Sequence, residues 1–319
     1  MSTTTPLPAQ IMALRVHQFG PPNVLTLESI ERPQPGPGEV LVKVAAAGVG
    51  PWDGWIRAGK SVLPQPLPLT LGSDLSGIVV DVGPGVTAFR AGDAVFGVTN
   101  AQFTGAQAEY AVAKADMIAL QPSGMDNIEA ASLPVIAITA WQALFERADL
   151  QRGQTVLIHG AAGNVGALAV QLGKQAGLTI LATASAKDVD YVRCQGAKTV
   201  IDYRSRRFED VAHDVDAVID LVGGDTQLRS FSVLKPGGVL VSAVSQPDQA
   251  RARQMNVRAE FFLVEVTTAR LQHIAALWSQ GALRASVGTE LPLAAARSAH
   301  EMLEEVRPHP RGKIVLRIG

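Results

Sequence analysis

Three glycines carry the strongest chemical signal in the chain. In LIHGAAGNVGALAVQLGKQAG (157–177), Gly160, Gly163 and Gly166 stand three residues apart, between an apolar strand-like run and an apolar helix-like run. A pyrophosphate group needs this arrangement. One glycine permits a tight turn, another lets the backbone approach the phosphate, and a third lets helix and strand pack closely. The helix behind the turn offers unpaired N–H groups and the positive end of its dipole. Gly160, Ala162, Gly163, Asn164, Val165 and Gly166 are the expected cradle. The spacing is G-x-x-G-x-x-G rather than G-x-G-x-x-G, so the argument rests on its place between strand and helix.

The second strand of such a unit distinguishes one dinucleotide from another. A carboxylate about 20 residues on bonds a free ribose 2′-hydroxyl and repels a 2′-phosphate. Here the strand ends LATASAKD (181–188), with Ala184 where that carboxylate is expected. Ser185 and Lys187 follow, and Tyr203 and Arg204 end the next strand. A hydroxyl and cations suit a 2′-phosphate, so NADPH is the expected cofactor. Further strand ends supply Gly223 and Gly224 beside the ribose, Val244 and Ser245 beside the nicotinamide, and Phe261, Phe262 and Leu263 as a wall.

The elements that position these residues fall into two textures. Up to about residue 120, short runs (25–28, 39–46, 75–82, 94–98 and 107–112) lie between Gly and Pro breakers, which suggests a mainly β, barrel-like domain. Val40, Val42 and Val44 share one strand face and Leu41 the other. From about Asn127 the chain alternates: helical 128–145 with an interruption at Pro134, strand 155–159, helix 164–177, strand 178–183, helix 187–196, strand 198–202, strand 216–222, helix 225–234 and strand 237–244. That alternation predicts a doubly wound parallel sheet. A helix at 268–280 and a final strand at 313–318 follow, and the last strand can rejoin the first sheet. The expected plan is therefore a discontinuous first domain, 1–126 with 267–319, holding an inserted nucleotide-binding domain, 127–266.

Composition excludes several other classes. The 319 residues carry 28 Lys plus Arg against 29 Asp plus Glu, a net charge of −1, which leaves no basic footprint for nucleic acid and no polybasic membrane patch. The single cysteine, Cys194, permits no intramolecular disulfide or multi-cysteine zinc site and points to a reducing compartment. No apolar run is long enough to span a bilayer, and the start has no secretion-signal pattern, so a cytoplasmic enzyme is expected. Residues Ser2–Gln10 look like a frayed terminus.

The stretches PGPGEVLVKVAAAGVGPWDGWIRAG (35–59), LPLTLGSDLSGIVVDVGPGV (67–86), GDAVFG (92–97), AEYAVA (108–113), LPVIAITAWQAL (133–144), VLIHGAAGNVG (156–166), VIDLVGG (218–224), LKPGGVLVS (234–242) and RGKIVL (311–316) run almost end to end. In order and spacing they resemble the zinc-independent quinone oxidoreductase-like branch of the medium-chain dehydrogenase/reductases. The resemblance implies a split GroES-like catalytic domain, an inserted Rossmann domain, and a cleft for NADPH and a small substrate. Zinc-dependent relatives hold metal through Cys, His and a later Cys or acid. The matching places look like Gly50, Ser73 and the Leu133–Pro134 region, none of which supplies a thiolate or imidazole. His17, His159, His213, His273, His300 and His309 show no paired ligand spacing, so no metal is expected.

Without a Lewis acid the expected reaction is hydride transfer to an acceptor that is itself electrophilic, a quinone or an α,β-unsaturated carbonyl. The resemblance puts Gly50 where relatives often carry an Asn near the nicotinamide. It puts Trp55 where relatives often have a Tyr lining the substrate pocket, and an indole there could stack on a quinone. Asp53 could orient a donor or relay a proton, or simply structure its loop, and Trp52 is expected to pack. Thr139 either matches a hydroxyl that reaches the cofactor or bonds back to its own helix, and Lys313 either lies near the cofactor or is a surface lysine. His159 is expected to be structural. Two alternatives share the scaffold: a 2-enoyl-thioester reductase, for which Tyr110, Tyr191 and Tyr203 offer no well-placed proton donor, and a non-catalytic NADPH-binding protein. Relatives pair their sheets edge to edge through a strand that here would be about Arg258–Val264, a segment too apolar for an exposed edge, so the resemblance implies a homodimer.

Overall fold

The computed structural model describes residues 7–319. In chain order the elements begin β1 (Gln10–Val16), β2 (Leu25–Glu31), β3 (Glu39–Val49), α1 (Pro51–Arg57), β4 (Leu69–Thr70), β5 (Asp74–Val82), β6 (Ala94–Val98), β7 (Tyr110–Lys114) and β8 (Ile118–Leu120). Next come α2 (Asn127–Ser132), α3 (Pro134–Trp141), β9 (Thr155–Ile158), α4 (Asn164–Ala176), β10 (Thr179–Ala184), α5 (Val189–Gln195), β11 (Thr199–Asp202) and β12 (Val215–Asp220). The chain ends with α6 (Gly224–Ser230), β13 (Leu234–Ser242), α7 (Gln249–Gln254), β14 (Arg258–Phe261), α8 (Thr268–Ser279), β15 (Val287–Pro292), α9 (Ala296–Leu303) and β16 (Lys313–Arg317). Residues 2–6 of the expected frayed terminus lie outside the described residues. From Pro8 the chain is engaged: Arg32 Nε donates to the Pro8 carbonyl at 2.8 Å, and Gln10 already starts β1.

Two compact units result: residues up to 135 with 266–276 and 285–319, and residues 136–265 with 277–284. The first boundary falls nine residues beyond the expected 126/127 because α2 belongs to the first unit. Ile128 and Ala131 bury against Ala46 of β3 and Val315 of β16. Residues 277–284 join the second unit, where Gln171 of α4 accepts from the Arg284 N–H at 2.9 Å and donates to its carbonyl at 3.0 Å. The helical stretch 128–145 is divided: Pro134 opens α3, and Gln142–Arg147 form a π-helical turn.

In the first unit a seven-stranded sheet runs β15-β16-β3-β5-β6-β8, with β7 also on β3, beside a small sheet β2-β1-β4. Strand alternation puts Val40, Val42 and Val44 against Leu75, Val79 and Val95, while Leu41 packs with Ile11, Ala13 and Tyr110 on the other face. β16 returns antiparallel to β3, pairing Ile314 with Val49. On the other side of β3, Ala47 pairs with Leu75 of β5. Lys313, Gly50 and Asp74 therefore come to the same end of three adjacent strands.

In the second unit six strands form a parallel sheet in the order β11-β10-β9-β12-β13-β14. The order reverses at β9, where β10 lies on one side and β12 on the other. Crevices at such a reversal, at the carboxyl ends of the strands, are where open α/β sheets bind ligands. Among the described residues no helix is long and apolar enough to cross a membrane.

Candidate functional site

In the second unit the turn after β9 is built as its glycines require. Gly160 has φ +69°, in the left-handed region, and Gly163 N–H donates back to its carbonyl at 3.0 Å. α4 then begins, with Ala167 N–H donating to the Gly163 carbonyl at 2.9 Å. The N–H groups of Asn164, Val165 and Gly166 lie in the first turn of this 13-residue helix, ahead of its first internal acceptor. A Cβ on Gly166 would lie 2.3 Å from the Gly160 oxygen and 2.7 Å from the Ala161 Cα, so this glycine sets how closely helix and strand can pack.

The ends of β10 and β11 meet in register, Ala184 opposite Asp202, and Tyr203 N–H donates to the Ala184 carbonyl at 3.2 Å. The structure thus brings Ala184 beside Tyr203, with Ser185 and Arg204 next to them in the chain. Lys187 is exposed, and the Arg204 guanidinium sits 5.8 Å from the centroid of the exposed Tyr203 ring. The Asp202 carboxylate is turned into its own turn, accepting from Arg204 N–H at 3.1 Å and Ser205 O–H at 2.9 Å. Ser185 departs from expectation. Its hydroxyl donates to Asp188 Oδ2 at 2.6 Å, with both side chains buried, so its proton is committed to a carboxylate. Asp188, three residues on, is the partner that spacing alone did not reveal.

A second buried carboxylate organises the loops after β12 and β13. Asp220 Oδ1 accepts from the N–H of Val222 at 3.0 Å and Gly223 at 2.8 Å. Its Oδ2 accepts from Gln227 Nε2 and Ser242 O–H, both at 2.8 Å. Gln227 also donates to the Ser245 carbonyl at 3.0 Å, and Ser242 Oγ accepts from Val244 and Ser245 N–H at 3.2 Å. Gly223 (φ +78°), Val244 and Ser245 are thereby fixed by one carboxylate that sequence reasoning treated only as the end of a strand. The available signal was an Asp just ahead of Gly-Gly, a usual donor-collecting turn position. Beyond β13, Leu263 is exposed, whereas Phe262 is buried with Arg147 5.5 Å over its ring. Thr139 is buried in α3.

His159, at the end of β9, is fully buried and held at both nitrogens. Nε2 lies 3.0 Å from Ser230 Oγ and Nδ1 3.0 Å from Thr183 Oγ1. Ser230 gives its own proton to the Thr226 carbonyl at 2.6 Å, so Nε2 carries the hydrogen and Nδ1 accepts from Thr183. Burial pushes the imidazole pKa down to about 4. It is a neutral hub joining β9, β10 and α6.

In the first unit α1 presents two faces. Asp53 Oδ2 accepts from the Gly50 N–H at 2.8 Å, closing the helix start, and the residue is fully buried. Its Oδ1 makes no well-formed hydrogen bond, and burial pushes its pKa up to about 7 against the pull of the Gly50 and Gly72 N–H groups and the Lys313 charge. Trp55 points outward at 49% exposure. One turn on, buried Arg57 donates to the Gly20 carbonyl at 3.0 Å and pairs with His300 and Glu304, tying α1 to α9.

Lys313 is not a surface lysine. It is 0% exposed, and its ammonium donates to Asp74 Oδ2 at 2.9 Å while lying 4.3 Å from the centroid of the Trp52 ring. Asp74 Oδ1 accepts from the Val135 N–H at 3.1 Å. The Trp52 indole N–H donates to the buried Ser73 hydroxyl at 3.1 Å. Trp52, Asp53, Ser73, Asp74 and Lys313 thus form one cluster. Among the described residues no group of three or more His, Cys, Asp or Glu is arranged to hold a metal ion.

Two family models match the chain: the Alcohol dehydrogenase GroES-like domain over residues 36–123, and Zinc-binding dehydrogenase over residues 195–316. Quinone oxidoreductase of Sus scrofa is 33% identical over 321 residues, covering 95% of this chain and 97% of the relative. The chloroplastic NADPH-dependent alkenal/one oxidoreductase of Arabidopsis thaliana is 34% identical over 255 residues, covering 76% of this chain and 65% of that protein. The solved quinone oxidoreductase of Coxiella burnetii superposes with a TM-score of 0.90 at 35% identity, covering 97% of this chain and 100% of that one.

Proposed function

The chain belongs to the quinone oxidoreductase-like branch of the medium-chain dehydrogenase/reductases and is an oxidoreductase, and from that premise we propose that it is a zinc-independent, NADPH-dependent reductase of quinones or α,β-unsaturated carbonyls. The single observation that carries the cofactor half of this reading is the α4 cradle. The glycine at 166, whose Cβ would strike backbone, and the unpaired N–H groups of Asn164, Val165 and Gly166 fit a pyrophosphate. Ala184 with exposed Lys187, Tyr203 and Arg204 supports a 2′-phosphate over a free hydroxyl. Gly223, Val244 and Ser245, fixed through Asp220, form the loops that would hold the ribose and nicotinamide.

Bound there, reduced nicotinamide supplies a hydride, and the acceptor takes it with one proton to give a hydroquinone or a saturated carbonyl. The protein's part is to orient the acceptor, exclude water and donate hydrogen bonds where negative charge develops on oxygen. Zinc independence rests on the donors. Gly50 has no side-chain ligand, and the Ser73 hydroxyl already accepts from Trp52. As part of the same reading, β14 at the edge of the second sheet pairs with a second copy to form a homodimer; light scattering that finds a monomer at micromolar concentration contradicts this.

The test of the reaction is NADPH oxidation followed with 1,4-benzoquinone, 9,10-phenanthrenequinone, trans-2-hexenal and a 2-enoyl thioester. Quinone or alkenal turnover well above thioester turnover supports the proposal. Preference for the thioester, or no turnover with any acceptor, overturns it.

A further inference from the structure

Two apolar side chains stand exposed on the loops at the carboxyl end of the second unit's sheet, Val222 after β12 at 51% and Val244 after β13 at 38%. They belong to one ledge. A Cβ at Gly223 would lie 3.3 Å from Ser245 Oγ and 3.4 Å from Val244 Cγ1, so the two loops lie against each other. A Cβ at Gly160 would lie 3.4 Å from Val222 Cγ2, so the ledge also abuts the glycine turn ahead of α4. Asp220 secures the first loop through the N–H groups of Val222 and Gly223. The second loop is held from outside its own strand by buried Gln227 of α6. Gln227 Nε2 has two hydrogens and lies 2.8 Å from Asp220 Oδ2, 3.0 Å from the Ser245 carbonyl and 3.1 Å from Ser245 Oγ.

We propose that Gln227 is a positioning residue for the nicotinamide half of the cofactor: by joining Asp220 to Ser245 it holds the Val222–Gly223 and Val244–Ser245 loops as one surface against which ring and ribose are placed. A primary amide suits this place. An ionised carboxylate has no hydrogen to give Asp220, and an aliphatic chain gives none to either loop, leaving a buried carboxylate short of a donor. A surface ordered before its ligand arrives loses little freedom on binding. Gln227's hydrogen bonds reach none of the groups assigned to the adenine half, the α4 turn and the ends of β10 and β11. Ser242 supports the second loop independently, accepting from the Val244 and Ser245 N–H groups, so losing Gln227 loosens the ledge without removing it.

This inference rests on the NADPH reading above, and its test separates the two. The unmodified protein, Gln227→Met and Gln227→Asn are titrated by calorimetry with NADPH and with 2′,5′-ADP, which carries the ribose 2′-phosphate but no nicotinamide. Gln227→Met should weaken NADPH by about tenfold or more while leaving 2′,5′-ADP within about twofold, with a cooperative urea transition retained. Gln227→Asn, which keeps the amide on a shorter stem, should fall between. Amide hydrogen exchange in Gln227→Met should quicken at Val222, Gly223, Val244 and Ser245 and stay unchanged at Asn164–Gly166. Equal losses for the two ligands, no loss for either, or unfolding of both variants overturns the inference. An unmodified protein that binds neither ligand overturns the cofactor reading beneath it.

Discussion

The Gly160–Gly166 turn and the Asp53–Asp74–Lys313 cluster both place chemistry at the ends of strands, but by opposite means. The turn lies within seven consecutive residues and works through backbone: unpaired N–H groups, a left-handed glycine and a close helix–strand approach. The cluster works through side-chain charge and joins three segments distant in sequence, brought together because β5 and β16 both flank β3. A backbone device fails when an atom is added. A buried charge cluster fails when an atom is removed.

The largest expected effect is on the turn. Gly166→Val pushes side-chain atoms into the Gly160 carbonyl, already 2.3 Å from a bare Cβ, and should abolish NADPH binding in a fluorescence titration. The matching blow to the cluster is Lys313→Met, which leaves Asp74 buried without its cation. Removing one partner of a buried pair costs about 3–5 kcal/mol, so the urea midpoint should fall sharply. The double variant Lys313→Met/Asp74→Leu should recover part of that loss.

Next is pH. Asp53 holds its proton more tightly when folded, its pKa rising to about 7 from the ordinary 3.8. The corresponding stability is complete below about pH 4 and is lost as pH rises through about 7, on the order of a few kcal/mol at about 1.4 kcal/mol per pKa unit. Asp53→Asn should flatten that decline, as read by urea unfolding between pH 5 and 8. His159 has the opposite sign. With a folded pKa lowered to about 4, its contribution is complete above about 6.5 and is lost as pH falls toward 4. Buried His300 in the first unit, pushed down to about 3 by burial and the Arg57 charge, has the same sign as His159, so chemical unfolding that resolves the two units should show both weakened by acid and the first also by base.

The smallest effect is at the ribose. Lys187→Ala removes the exposed cation proposed to meet the 2′-phosphate; at roughly 1.5–3 kcal/mol for one charge-assisted hydrogen bond, it should weaken NADPH about ten- to a hundredfold while leaving NADH nearly unchanged. Equal affinities for the two cofactors in the unmodified protein would contradict the reading of this loop.

The contrast also explains what could be read from sequence. The glycine turn, the doubly wound alternation and the return of the final strand to the first sheet follow from local periodicity and turn residues, and the structure carries all three. The Ala184–Tyr203 grouping was legible because adjacent parallel strands end together. Ser185 was misjudged because an Asp three residues on captures its hydroxyl, a competition that spacing alone does not rank. Asp220 was missed because its four donors come from three separate elements. The burial of Lys313 was not legible for the same reason: neither burial nor a partner 239 residues away can be inferred from a lysine's neighbours. Phe262, expected to wall the site, is covered by Arg147 from the π-helical turn.

The most direct measurement is kcat/KM for 1,4-benzoquinone with NADPH and with NADH, each with and without EDTA and corrected for the uncatalysed reaction. The account predicts catalysed oxidation, at least tenfold better with NADPH, and unchanged by chelation. A rate no greater than the uncatalysed one, a preference for NADH, or activity abolished by EDTA and restored by zinc would contradict it.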